Sequence, residues 1–173
     1  PGAFLSANNV ANPIFTGNVA GNFTYTVTAT DANNCQNKAQ TTITVFPDVI
    51  VNIPPLTLCQ TESRSLTATG AVAYSWFPGT YLNDALIANP TFNAVDAGVF
   101  TYTVTGTDAN GCTGSAIATV TVNAQPTVTA TGQTPICSHN ASQLTAGGAV
   151  NFSWTPTGGL GDPLIAQPIF TPA

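Results

Sequence analysis

The sequence predicts an all-β chain of tandem β-sandwich repeats, with two antiparallel sheets in each repeat. Three observations predict it. Segments recur at an offset of 77 or 78 residues: Cys112 follows Cys35 by 77 and Cys137 follows Cys59 by 78. Apolar and polar residues alternate with period two, as half-buried strands do, and no segment sustains a 3.6-residue period. Turn residues interrupt the alternation at short intervals, which suits two packed layers of antiparallel strands.

The clearest strand is FTYTVTGT at residues 100–107. Phe100, Tyr102, Val104 and Gly106 fall on one face, and Thr101, Thr103, Thr105 and Thr107 on the other. Residues 23–30 repeat the pattern, with Phe23, Tyr25, Val27 and Ala29 facing inward and Thr24, Thr26, Thr28 and Thr30 outward. Each strand runs into a turn, DANNC at 31–35 and DANGC at 108–112, where Asp and Gly or Asn suit a tight reversal. The strand after that turn places Ile43 and Val45 in one copy, and Val120 and Val122 in the other, on one face. Val72, Tyr74 and Trp76 alternate inward, and Val150, Phe152 and Trp154 copy them. Shorter strands fit residues 49–53, 65–69 and 90–94. The expected core is therefore Trp76, Trp154, Tyr102, Tyr25, Val104 and Val120.

These matches divide the chain into a complete repeat at residues 47–124, the back part of a repeat at 1–46 and the front part of another at 125–173. A unit of that size is near the lower limit for a self-sufficient core. A covalent staple or contact with neighbours would add stability. Two cysteines per repeat at fixed positions point to disulfides and an oxidising, extracellular setting. Zinc ligation would need clustered ligands, and His139 is the single histidine.

Composition excludes several functions. Lys38 and Arg64 are the only basic side chains beside seven acids, for a net charge of −5. Nucleic-acid binding requires clustered Lys and Arg, so it is not expected. No apolar run is long enough for a membrane-spanning helix, so no membrane insertion is expected. Asp31, Asp84, Asp96, Asp108, Asp162 and Glu62 stand singly, a poor start for a Ca²⁺ site, which needs six or more oxygens. No cofactor, metal or catalytic residue is expected. The Thr rows could in principle form a flat lattice for ice or polysaccharide, but β-branched Thr also suits any solvent-facing strand.

With these motifs in view, the repeat resembles the Ig-like and PKD-like repeats of large bacterial cell-surface proteins, such as the giant adhesins of gliding bacteria that use type IX secretion. The resemblance covers nearly the whole chain. It rests on Tyr74-Ser75-Trp76 followed by Pro78, on the strand from Gly98 to Val104, and on Gly111-Cys112. The WDFGDG signature of strict PKD domains is missing, which favours the broader Ig-like group. The resemblance implies an extracellular stalk, spacer, filament or adhesin without catalytic residues. Its partners would be neighbouring repeats, identical subunits or surface glycans. Two cysteine pairings stand open. Cys59 and Cys112 could close a loop within the complete repeat, with the partners of Cys35 and Cys137 outside these residues. In an immunoglobulin-type topology, however, those two positions lie at opposite ends, and each cysteine would reach a neighbouring repeat instead. Self-assembly by strand complementation between identical chains is the second functional reading.

Overall fold

A computed structural model describes residues 4–172, and every regular element among them is a β-strand. The chain divides into two units, residues 1–123 and 124–173.

The first unit opens with a hairpin of β1 (Gly21–Thr30) and β2 (Gln36–Val45), paired antiparallel from Gly21 opposite Val45 to Thr30 opposite Gln36. Phe23 sits among Phe4 and Phe15, with ring centroids 5.2 and 5.4 Å away. Six strands follow: β3 (Leu56–Cys59), β4 (Ser63–Ser65), β5 (Ala73–Phe77), β6 (Thr91–Asn93), β7 (Gly98–Thr107) and β8 (Thr113–Asn123). Four of them form one sheet in the order β3-β8-β7-β5, and β4 pairs with β6 in a second. Backbone bonds from Leu66 to Pro90 and from Ala68 to Ala88 lengthen that second layer beyond the short strands.

The two layers close on one apolar cluster, which gives this region a sandwich-like build. Tyr74 and Trp76 come from β5, Tyr102 and Val104 from β7, Val120 and Val122 from β8, and Leu58 from β3. Leu66, Ala68, Phe92 and Ala94 face them from the other layer. Phe92, Val104 and Val120 are fully buried, and Tyr102 retains 1% exposure. The rings meet edge to face: Trp76 lies 6.4 Å and Phe92 6.2 Å from Tyr102, a geometry that aromatic quadrupoles favour. The polar tips of these rings find backbone partners. Tyr102 Oη donates to the Thr80 carbonyl at 2.7 Å, and Trp76 Nε1 donates to the Ile87 carbonyl at 2.9 Å. Such bonds remove the cost of burying a hydroxyl or an indole N–H.

The second unit carries β9 (Thr129–Gly132), β10 (Ser142–Gly147) and β11 (Ile169–Phe170), in the sheet order β11-β10-β9.

Three expectations need correction. The four-stranded sheet is not purely antiparallel, because β3 runs parallel to β8, Leu56 opposite Val120 and Cys59 opposite Asn123. The first extended segment serves both layers in turn. Asn52 bridges to Thr69 of the second layer, Pro54 and Pro55 follow, and β3 then joins β8. Proline has no N–H to give to a ladder, so this pair ends one pairing and frees the chain to start another. Secondly, Tyr25 and Trp154 are half-buried rather than core, and Val27 and Ala29, expected inward, are exposed. Tyr25 lies in a two-stranded sheet, and residues 151–154 pair with no strand among the described residues, so neither ring is closed over as Trp76 is. Thirdly, Val72 and Val150 are 71% and 94% exposed. Each lies two residues after a left-handed glycine, Gly70 or Gly148, so the pleat has not yet begun there.

Truncating Phe92 to Ala should destabilise the fold by about 3–5 kcal/mol, because a fully closed ring site leaves a cavity. Thr103→Ala on the outer face should stay within about 0.5 kcal/mol. Urea denaturation measures both. Burial, with a smaller contribution from the neighbouring Tyr81, pushes the Tyr102 phenol up to about 12. The unfolded chain releases that proton near pH 10. The folded state therefore holds more protons between about pH 10 and 12, and stability falls as pH rises through that window. Tyr102→Phe should start about 1 kcal/mol less stable, from the lost bond to Thr80, and should lose part of that alkaline decline.

Candidate functional site

Chemistry-bearing side chains gather at the two ends of β8 and on the outer face of the four-stranded sheet. At the first end, residues 108–112 turn β7 into β8. Asp108 Oδ1 accepts from the N–H groups of Asn110 and Cys112, each at 2.8 Å. The Asp108 N–H donates to the Cys112 carbonyl at 2.9 Å. Partial burial works against the charged Asp108 carboxylate, but the bonds from Cys112, Asn110 and Gly111 outweigh it and hold the pKa below the usual value. Gly111 has φ +84, the left-handed conformation that lets the chain reverse. The turn between β1 and β2 repeats this arrangement. Asp31 Oδ1 accepts from Asn33 and Cys35, each at 2.8 Å, and Asn34 takes the left-handed position at φ 65.

At the other end, Cys59 closes β3 opposite Asn123. Its N–H donates to Glu62 Oε2 at 3.1 Å, while the Glu62 N–H returns to the Cys59 carbonyl at 3.1 Å. Thr61 takes a left-handed φ of 71 inside this turn, and the Gln60 N–H reaches the Asn123 carbonyl at 2.8 Å. In the second unit, the turn after Cys137 places His139 at φ 70, and the Asn140 N–H donates to the Cys137 carbonyl. His139 thus occupies the turn position that Thr61 fills after Cys59.

All four cysteines are free thiols. The expected bond between Cys59 and Cys112 does not form, and the sheet shows why. Cys59 stands opposite the last residue of β8, and Cys112 directly precedes the first. Eleven residues of strand set them roughly 35 Å apart. A disulfide tolerates about 7 Å between Cα atoms.

The Thr rows do not make an uninterrupted hydroxyl lattice. In the four-stranded sheet Thr103 lies between Phe77 of β5 and Ile117 of β8, which are 75% and 69% exposed. In the hairpin the hydroxyls bond across the strands. Thr24 pairs with Thr42 at 3.0 Å, Thr26 accepts from Gln40 Nε2 at 3.0 Å, and Thr44 donates to Asn22 at 2.9 Å. These cross-strand bonds support the ladder itself.

Two further acids serve their own loops. Asp84 and Asp162 each accept from the N–H two residues on, at Leu86 and Leu164. Asp96 accepts from Tyr81 Oη at 2.7 Å, which raises the Tyr81 pKa. No group of three or more His, Cys, Asp or Glu side chains converges among the described residues. Trp154 lines a shallow depression with Leu144, Pro156 and Phe170, and its Nε1 donates to the Ile165 carbonyl at 2.9 Å.

Two glycines around Cys112 separate conformational strain from crowding. An added Cβ at Gly111 would meet nothing within 4 Å, so only its φ resists a side chain. Gly111→Val should cost about 1–2 kcal/mol. Gly114→Ala would drive a Cβ into the Val49 carbonyl and should cost more than Gly111→Val. Chemical denaturation of both variants checks that ranking. No protein-family model and no curated protein matches the chain.

Proposed function

We propose that the chain is part of an extracellular array of Ig-like repeats that acts as a stalk, spacer or filament of a bacterial surface protein. One observation carries this reading. The polypeptide approaches the region of residues 47–124 at one end of β8 and leaves it at the other. The Val49 carbonyl lies against Gly114 near the start of β8, and Asn123 ends that strand. Units joined in this way extend in one direction, each adding its own length. The 77- or 78-residue recurrence supplies the sequence side of the same reading, and solenoid-like arrays gain stability unit by unit from neighbours of this kind. The apolar cluster fills the interior, while the outer face of β7 carries Thr101 and Thr103 rather than charged groups.

A second reading, strand complementation between identical chains, draws on the β1–β2 hairpin. That hairpin forms a sheet of two strands, whereas β7 and β8 are each paired on both sides. The outer edges of β1 and β2 offer backbone groups that a strand from another chain would satisfy.

Placing a second copy of residues 47–123 directly after Asn123 distinguishes these readings from a compact assembly. Small-angle scattering should show the maximum dimension growing by roughly 35 Å, the length of an eleven-residue strand. Growth below half of that would overturn the array. Complementation predicts, in addition, a molar mass by light scattering that rises with protein concentration.

A further inference from the structure

The complete repeat holds one thiol at each end of β8, and the repetition preserves both kinds. Cys35 and Cys112 follow turns anchored by Asp31 and Asp108. Cys59 and Cys137 each precede a turn with a left-handed residue two positions on. Cys59 is exposed and Cys112 half-exposed, so neither is a packed core thiol.

The strand connections bring the two kinds toward one another across successive repeats. Cys59 stands opposite Asn123, and the residue that matches Asn123 one repeat earlier is Phe46. A Cys59-type thiol of that earlier repeat would stand opposite Phe46. The Val49 carbonyl touches Gly114, two residues beyond Cys112. The three-residue step from Phe46 to Val49 spans at most about 10 Å. Both thiols thus flank the same short connection, whereas within a repeat the length of β8 separates them.

Resting on the array reading above, we propose that these cysteines staple successive repeats end to end, the Cys59-type thiol of one repeat bonding to the Cys112-type thiol of the next. Both thiols give up their protons and one S–S bond forms. The two electrons reduce a small-molecule disulfide, whose own S–S bond breaks to yield two thiols. Each bond would close a loop of well over a hundred residues and restrict the unfolded chain accordingly.

The test uses the full chain lengthened by a second copy of residues 47–123 after Asn123, with Cys35→Ser and Cys137→Ser throughout. In the junction form, Cys112→Ser in the first copy and Cys59→Ser in the second leave the two thiols that flank the new connection. In the outer form, Cys59→Ser in the first copy and Cys112→Ser in the second leave the thiols at the far ends. Both forms carry equally many serines at surface positions, so a folding defect would affect them alike. Each is incubated dilute with oxidised glutathione, alkylated and weighed intact. The junction form should lose both reactive thiols and two hydrogens of mass as a monomer. The outer form should keep both thiols open to alkylation or glutathione. A junction pair that stays open, or equal closure in both forms, overturns the staple. A chain that lengthens in scattering but forms no junction bond leaves the array standing without it.

Discussion

The contact between Tyr102 on β7 and Phe92 on β6 joins the two layers, and the rest of residues 47–123 is arranged around it. The two rings sit 6.2 Å apart at an interplanar angle of 80°, and both are closed to solvent. Trp76 meets Tyr102 from β5, while Phe100 of β7 and Tyr81 also meet Phe92. Backbone pairing runs within each layer, so aromatic burial holds the short second layer against the first. Once Tyr102 is fixed inward, the pleat sends Thr101 and Thr103 outward and sets the register of β8 through the pair Tyr102–Ala118.

The length of β7 and β8 then separates the two ends of the unit, and the proposed array rests on that separation. The Asp108 turn closes one end and the Glu62 turn the other. Both use a carboxylate to satisfy backbone N–H groups, which explains how a chain with so few charges spends several of its acids. The cysteines ride on these turns. Their positions are set by hairpin geometry and by the parallel β3–β8 pairing, and distance alone forbids a bond between them inside one repeat.

Much of this was legible in the sequence. The period-two pattern of residues 100–107 located β7, and the DANGC and DANNC segments located both hairpin turns with their Asp anchors. Two things were not legible. Pro54-Pro55 reads as a break, but nothing local says that the strand after it changes layer and runs parallel to a partner some sixty residues on. Without that long-range pairing, the end at which Cys59 lies stays open, and so does its disulfide partner. Trp154 and Tyr25 show a second limit. Alternation marks which face a ring prefers, but burial depends on which strands lie opposite, and those come from distant sequence. The buried bond from Tyr102 to Thr80 is invisible for the same reason.

Amide hydrogen exchange, read residue by residue, tests the central role of the Tyr102–Phe92 contact most directly. The account predicts that amides of β7 and β8 flanking Tyr102, Val104 and Val120 exchange slowest, opening together with those of Leu66 and Ala68 in the facing layer. The β1–β2 hairpin, with the same sequence pattern but a single partner per strand, should exchange at least about 100-fold faster. Equal protection in the two hairpins, or opening of the Leu66 layer independently of β7, would contradict it.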